Sequence, residues 1–267
     1  MPSLKLIPLT VSCILALSAH GIAQSDFKEE LNLGVQAFRE AKFDEAVRHF
    51  QNATTLEPQH EVAHLYLASA LASQYIPGID EPENRQFGED AVSEYQKVLD
   101  INPRSRDSMK GIANIYLQMK KFEDAKTLYK RAIDLDPKDP ENYYSIGVID
   151  WTKAYTRTSA LRGKLGKEPN QPLIDVPGCW DLRRSNETVV NNGIEMIAKA
   201  IELRPDYDDA MAYLNLLYRE RANIQCGDKL SYDADLKAAD HWVDLVLATK
   251  KKKNAGMSSE HSASQNP

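Results

Sequence analysis

Residues 125–137 read AKTLYKRAIDLDP, and close copies of this stretch recur along the 267-residue chain. The copies are residues 46–58 (AVRHFQNATTLEP), 91–103 (AVSEYQKVLDINP) and 193–205 (GIEMIAKAIELRP). Each begins with a small residue, continues with apolar residues at helical spacing, and ends in proline. The four prolines are separated by 45, 34 and 68 residues, which is 34 plus 11, then 34, then twice 34. A fixed period of this length indicates an array of helical repeats.

A second stretch with helical spacing precedes each copy, and the set comprises residues 27–39, 61–73, 106–118 and 140–152, with a fifth from residue 208. Small residues in these stretches would let two antiparallel helices approach closely, as at Gly34, Ala68, Ala113 and Gly147. The proline ends the second helix of each pair because it lacks an N–H and clashes with the preceding turn. One pair cannot bury its apolar stripe alone, so the pairs are predicted to stack.

This pattern resembles the tetratricopeptide repeat (TPR) family over about residues 27–249, and the chain is similar to secreted TPR proteins of the bacterial type. The resemblance implies an all-α fold, an α-solenoid with a right-handed superhelix of about five helix-turn-helix units. The predicted units are residues 27–60, 61–105, 106–139, 140–207 and 208–250. Insertions between the two helices of a unit are expected at residues 74–89, 152–182 and 225–232. An unrelated helical bundle is the alternative.

In the insertion of the fourth unit, basic residues concentrate in an otherwise acidic chain. They are Lys153, Arg157, Arg162, Lys164 and Lys167. The first helix of this unit is expected to run on into the insertion and to end at Gly166 and Pro169, since residues 151–165 lack proline and keep helical spacing. The basic face could meet an acidic partner or simply be solvated.

The N-terminus has the layout of a secretory signal peptide. Lys5 precedes an apolar run over residues 6–19, and Gly21 and Ala23 are the small residues that flank a cut after Ala23. We therefore predict a signal peptide over residues 1–23, a repeat domain over residues 24–250, and a periplasmic or secreted location. Membrane association would come only from an uncleaved signal or from membership of a complex. Residues 251–267 are small, polar and aperiodic, which predicts a disordered tail.

Composition argues against several classes of function. The chain has 33 Lys and Arg against 39 Asp and Glu, a net charge of −6, so no broad surface for nucleic acid is expected. The nucleophile-elbow, phosphate-loop and dinucleotide-binding glycine motifs are all missing from the sequence. No catalysis and no cofactor are therefore predicted.

One segment matches a catalytic pattern. Residues 60–64 read HEVAH, the zinc-hydrolase arrangement in which His60 and His64 would bind the metal and Glu61 would activate water. The pattern falls just after Pro58, where the repeat needs a turn and a helix start, and no third ligand follows at the family's spacing. A zinc hydrolase is kept as an alternative function.

Two cysteines remain after the predicted signal, Cys179 and Cys226. In a stacked array, one precedes the second helix of the fourth unit and the other follows the first helix of the fifth, at the same edge of adjacent units. A disulfide is therefore plausible, provided that the Cα atoms come within about 7 Å. Two free thiols are the alternative.

The TPR resemblance also implies a binding surface, because in that family the first helices line a groove that holds a peptide. Matched by register, the candidates are Leu31, Val35, Phe38, Leu65, Ser69, Lys110, Asn114, Gln118, Tyr144, Val148, Trp151, Leu216 and Arg219. Lys110 and Asn114 match the lysine and asparagine by which some members grip a peptide's terminal carboxylate. Ser145, Asp209 and Tyr213 depart from that pattern, and an aspartate there would repel a carboxylate.

The predicted function is accordingly an exported scaffold that binds a protein or peptide, of unknown identity, through its groove and insertion loops. A structural subunit of a cell-envelope assembly complex is the other alternative. It differs from a free binding protein in that the repeats would only bridge the subunits of the complex.

Overall fold

The computed structural model describes residues 14–263, and the side chains of residues 26–255. These residues form ten α-helices and no strand, so the predicted all-α fold is confirmed. The helices are α1 (Ile14–Arg39), α2 (Phe43–Leu56), α3 (Glu61–Gln74), α4 (Pro82–Ile101), α5 (Arg106–Gln118), α6 (Phe122–Leu135), α7 (Pro140–Leu165), α8 (Cys179–Leu203), α9 (Asp208–Ala222) and α10 (Lys229–Ala263).

The helices fall into two compact units, the first containing α1 to α5 and the second α6 to α10. In each unit every helix packs against the next one along the chain. In the first unit α1 also contacts α3, and α3 contacts α5; in the second unit α7 contacts α9. Contact between alternate helices is what stacked helical hairpins produce, and each unit is built in this way.

The repeated prolines set the ends of the even-numbered helices of the repeat. The helices α2, α4, α6 and α8 each end two residues before a proline, namely Pro58, Pro103, Pro137 and Pro205. The residue before a proline is disfavoured in helical conformation, so the helix stops there. The prolines of the repeat therefore determine where these four helices end.

Small residues bring the paired helices together. A Cβ on Gly34 would lie 2.5 Å from the Phe50 ring, which shows how closely α1 approaches α2. A Cβ on Gly147 would clash with Ile197 of α8 and lie 3.2 Å from the Gly193 carbonyl oxygen. Both positions therefore need glycine for packing.

Alanines and aromatic residues of the second helices fill the interiors, as the period predicts. The buried members are Ala46, Phe50, Ala91, Tyr95, Ala125 and Tyr129. In the second unit a further cluster lies between α7, α8 and α9, with Ile197, Leu214 and Leu217 buried and Trp242 of α10 packed against it. This cluster supports the surface that α7 and α9 present.

The insertions are shorter than predicted, because helices extend into them. Residues 82–89 form the first turns of α4 rather than a loop, with Pro82 at the first helical turn, where a missing N–H costs nothing. As predicted, α7 runs on to Leu165 and ends at Gly166, which has a left-handed φ of 61°. The connections that remain are residues 75–81, 166–178 and 223–228.

Both predicted terminal segments extend beyond the described residues. Of the predicted signal peptide, residues 1–13 lie outside them, and residues 14–23 begin α1. Disorder was expected from residue 251, but α10 continues to Ala263, and only residues 264–267 of the predicted tail lie outside. Lys250 and Lys253 lie 3.9 and 2.6 Å from the Asp208 carboxylate, which holds this part of α10 to α9. No described helix is long and apolar enough to cross a membrane.

Candidate functional site

In the first unit, the predicted contact residues of α1, α3 and α5 remain accessible. They are half-buried or exposed, and comprise Leu31, Val35, Phe38, Leu65, Lys110, Asn114 and Gln118. Two of them also pack internally, since Leu31 contacts the cluster of Phe27, Ala53 and Ala63, and the Phe38 ring centroid lies 5.5 Å from that of Phe43. The first unit therefore presents a mixed apolar and polar surface.

In the second unit, the predicted residues lie on α7 and α9. Tyr144, Val148 and Trp151 are half-buried, and Arg219 is exposed. The Trp151 ring stacks on Tyr155 at 5.1 Å with an interplanar angle of 18°, and meets Tyr213 edge-on at 5.3 Å. The surface of α7 is thus rich in ordered aromatic side chains.

Tyrosines extend this aromatic surface. The Tyr144 ring lies 4.9 Å from Tyr207 and 5.6 Å from Tyr213. Burial raises the pKa of all three phenols, and the carboxylates of Asp209 and Glu141 raise the pKa of Tyr144 further. The phenols therefore stay neutral at physiological pH, and the Tyr207 hydroxyl donates to Glu141 at 2.6 Å.

A pocket of about 390 Å³ opens between the C-terminal half of α7 and α9. We call it the α7–α9 pocket. It brings together three residues matched by register, Trp151, Leu216 and Arg219. Its other lining residues are Tyr155, Ser159, Arg162, Gly163, Lys167, Pro169, Glu220 and Asn223. Its volume falls in the range of small-ligand sites, about 300–1,000 Å³.

Residues 166–178, the connection from α7 to α8, form one wall of this pocket and are held in place. The Arg162 guanidinium donates to the carbonyl oxygens of Glu168, at 3.1 Å, and Gln171, and to Asn223 Oδ1 at 2.9 Å. One side chain therefore joins the end of α7, the connection and the end of α9.

A disulfide closes the same region. It joins Cys179 and Cys226, the pair considered from the sequence, with the Cα atoms 5.7 Å apart. Nearby, the Gly227 N–H donates to the Ile174 carbonyl at 2.9 Å. Leu173 and Leu182 pack with Ile224 in a small apolar cluster. The connection is therefore part of the folded unit.

A buried polar chain runs beneath the pocket. Thr158 donates to Glu220 Oε2 at 2.6 Å, and the Asn186 amide lies 3.4 Å from the Thr158 hydroxyl and donates to the Ala154 carbonyl at 3.1 Å. Burial raises the pKa of Glu220, and the hydrogen bond from Thr158 and the charge of Arg162 offset part of that rise. The surroundings of Glu220 therefore disfavour a negative charge at the floor of the pocket.

The first unit has a pocket of its own, of about 360 Å³. The predicted Gln118 lines it together with Tyr75, Ile79 and Met119. Asn84 shapes this side of the connection 75–81, since its side chain bonds the backbone N–H and carbonyl of Ile76 and the carbonyl of Ile79.

The HEVAH segment has a structural role. His60 caps α3, because its Nδ1 accepts the Ala63 N–H at 3.2 Å. His64 is buried, with Nδ1 2.6 Å from Glu94 Oε2 and Nε2 3.0 Å from the Pro58 carbonyl oxygen. Both ring nitrogens of His64 face oxygen acceptors, so a metal would have to displace one. The arrangement does not fit a zinc ligand.

The residues that sequence reasoning missed are those the helix extension and the connection bring in, above all Tyr155, Lys167, Pro169 and Glu220. Tyr155 carries a usable signal, since it lies one turn after Trp151 on the same helix face. The cationic Arg162 and Lys167 were noted as a basic run without a place in a site. Nothing in the sequence singles out Glu220, because it lies among other polar residues at the end of a helix.

Comparison with known proteins shows what this chain is similar to. Residues 113–152 match a family model described as TPR repeat. The chain is 27% identical over 108 residues to the general transcriptional corepressor ssn6 of Schizosaccharomyces pombe, which covers 40% of this chain and 9% of that protein. It is 21% identical over 192 residues to protein O-mannosyl-transferase TMTC3 of Homo sapiens, which covers 68% of this chain and 19% of that protein. The chain thus spans at most about a fifth of the length of these relatives.

Solved structures share the fold. MamA from Desulfovibrio magneticus RS-1, from residue 41 to the end, superposes with a TM-score of 0.58 at 17% identity, covering 85% of this chain and 96% of that one. YrrB, described as a TPR protein with an unusual peptide-binding site, gives a TM-score of 0.51 at 14% identity, covering 83% and 90%. Together with the stacked helical pairs and their periodic prolines, these matches show that the chain has the fold of tetratricopeptide-repeat proteins and that residues 113–152 match the repeat itself.

Proposed function

We propose that this chain is an exported scaffold that binds a protein or peptide through the accessible faces of its first helices, without catalysis. The observation that carries the proposal is the α7–α9 pocket, where Trp151, Leu216 and Arg219 meet although 65 residues separate Leu216 from Trp151. Aromatic residues and arginine are the side chains that dominate binding energy in protein interfaces. The described peptide-binding site of YrrB, a protein of the same fold, is in keeping with this function.

Export is proposed on two independent features. The apolar run at residues 6–19 is followed by small residues at a cleavage spacing. The disulfide between Cys179 and Cys226 is a bond that persists in oxidising compartments such as the periplasm. We therefore propose that the functional protein is in the periplasm or outside the cell.

A structural subunit of an envelope complex is a second candidate, favoured by exposed apolar side chains beside the disulfide. Trp180 is 64% and Leu230 83% exposed, each close in sequence to one of the two cysteines. Exposed large apolar side chains of this kind suit a permanent neighbour.

The test is capture of partners from an envelope extract on the immobilised protein. We expect the native chain to retain a partner that Trp151→Ala loses, because the variant removes the stacked wall of the pocket. Trp180→Ala is the matched control, since it removes an exposed tryptophan that does not line the pocket.

The two candidates give opposite results in this experiment. Loss of the partner with Trp180→Ala alone would favour the structural subunit. Equal retention by all three proteins, or retention of nothing, would contradict the proposed scaffold. Circular dichroism of each variant checks that the helical fold is intact.

A further inference from the structure

We propose that the α7–α9 pocket binds a peptide segment in which an acidic side chain lies next to an apolar one. This inference rests on the proposed function and names the chemistry of its ligand. The pocket differs from a regular repeat surface, because the extension of α7 beyond Thr152 and the connection 166–178 build much of its wall.

The apolar half of the ligand would meet an apolar wall. The stacked rings of Trp151 and Tyr155 form one side, and Leu216 and Pro169 lie among the other lining residues. Tyr155 is 48% exposed, so part of its ring faces the solvent that a ligand would displace. Burying such surface contributes about 25 cal/mol for each Å² of apolar area.

The acidic half would meet cations that remain available. The backbone N–H of Lys167 donates to the Arg162 carbonyl at 3.0 Å, but its ammonium group has no hydrogen bond and no ion pair with any residue that the structure describes. Arg219 donates to Asp240 at 2.7 Å and to Asn215 at 2.9 Å, but the Arg219 and Asp240 side chains are 44% and 70% exposed. An exposed pair of this kind is weak, so a ligand carboxylate can replace Asp240 at little cost.

The third cation, Arg162, acts as a positioning residue. Its guanidinium is committed to Glu168, Gln171 and Asn223, which fixes the connection over the pocket. A preformed wall reduces the ordering cost of binding.

The charge balance favours a carboxylate over a phosphate. Three cations line the pocket, against the Glu220 carboxyl at its floor and Asp240 beside Arg219. Glu220 is buried and hydrogen-bonded to Thr158. With both carboxylates ionised, the three cations leave a net charge of about +1. One ligand carboxylate neutralises this charge, whereas a phosphate brings nearly two negative charges. The chain as a whole has a net charge of −6, so this pocket is opposite in sign to the rest of the protein.

Two random 12-residue peptide libraries test the inference on the full protein. In one library the peptides are fused at both ends, so only side-chain carboxylates are present; in the other the C-terminus is free. Enriched peptides are then synthesised, and their Kd is measured with the native chain and its variants. We expect the first library to enrich an acidic residue beside an aromatic or aliphatic one.

The variants assign the binding to the pocket. Lys167→Gln and Arg219→Gln should each weaken binding by about tenfold, or about 1.4 kcal/mol, because each removes a charge that pairs with the carboxylate of the peptide. Lys167→Arg should restore most of the affinity, and changing the peptide's acid to its amide should remove the sensitivity to both variants. Lys164→Gln, one turn earlier and outside the pocket lining, is the matched control and should bind like the native chain.

Each other outcome overturns the inference in a recognisable way. Peptides without acids, or peptides that bind all variants equally, would contradict it while leaving the scaffold function intact. Enrichment only in the library with a free C-terminus would show that the pocket binds a terminal carboxylate and not a side-chain carboxylate. Failure of both libraries to yield any binder would contradict the peptide-binding function itself.

Discussion

Glu220 shows how one buried side chain near the pocket couples stability to pH. Burial raises the pKa of this carboxyl above its ordinary value of 4.5, so the folded chain holds the proton more tightly than the unfolded chain. The stability from the protonated form is complete below pH 4.5 and is lost as the pH rises through the raised pKa. The ionised form is therefore the costly one at neutral pH.

Glu220→Gln should remove this cost, because glutamine stays neutral and can still accept the Thr158 hydrogen bond. Urea denaturation should give the variant and the native chain similar midpoints at pH 4, and the variant the higher midpoint at pH 8. Glu195→Gln is the control, because it makes the same chemical change at an exposed position of α8, where substitutions have small effects on stability. Parallel pH profiles for Glu220→Gln and the native chain would contradict the assignment.

At the scale of the helix pair, the approach of α7 to α8 depends on Gly147. Gly147→Ala places a Cβ against Ile197 and near the Gly193 carbonyl, and should destabilise the fold by about 1–3 kcal/mol, as overpacking does. Gly163→Ala is a control in the same helix, since its Cβ would meet nothing within 4 Å. That variant should gain about 0.5–1 kcal/mol from helix propensity.

Urea denaturation at one pH compares the two glycine variants directly. Equal midpoints for Gly147→Ala and Gly163→Ala would mean that α7 and α8 tolerate a wider separation than their packing indicates. The comparison is informative because both substitutions make the same chemical change in one helix, so that only the neighbours differ.

Between elements, the C-terminal half of α7 converts an ordinary repeat surface into a pocket. A regular first helix would end near Thr152, which would leave Trp151 at its last turn without Tyr155 or Ser159 beside it. The extension provides a second row of side chains opposite α9, and Arg162 and the disulfide hold the connection against it. The pocket of the second unit therefore arises where the repeat pattern is broken.

Across the whole molecule, the sequence predicts the features that recur in every repeat and misses those that occur only once. The periodic prolines and small residues predict the helix pairs, and register places Trp151 and Arg219 on α7 and α9. The start of α4 at Pro82 was missed, because the polar residues after it look like a loop, while Asn84 bonds the backbone around Ile76. The pocket wall was also missed, because it depends on the hydrogen bond from Arg162 to Asn223. These two residues are 61 positions apart, and no sequence period relates them.

Export and the disulfide together make a prediction about the whole chain. Expressed at full length in a secreting bacterium, the protein should be recovered from the periplasm or medium as a species beginning at Gln24, with Cys179 and Cys226 blocked to thiol reagents.

Expressed without residues 2–23, the protein should stay in the cytosol with both thiols free. Its free energy of unfolding should then be about 2–4 kcal/mol lower, since no disulfide restricts the unfolded chain. Oxidation in vitro should restore the lost stability. Intact mass, thiol labelling and urea denaturation measure the three effects, and a Cys179→Ser, Cys226→Ser double variant should show equal stability from both compartments. A full-length chain recovered uncleaved with both thiols reactive would contradict the exported form, because its oxidising surroundings are what would maintain the link between α8 and the end of α9.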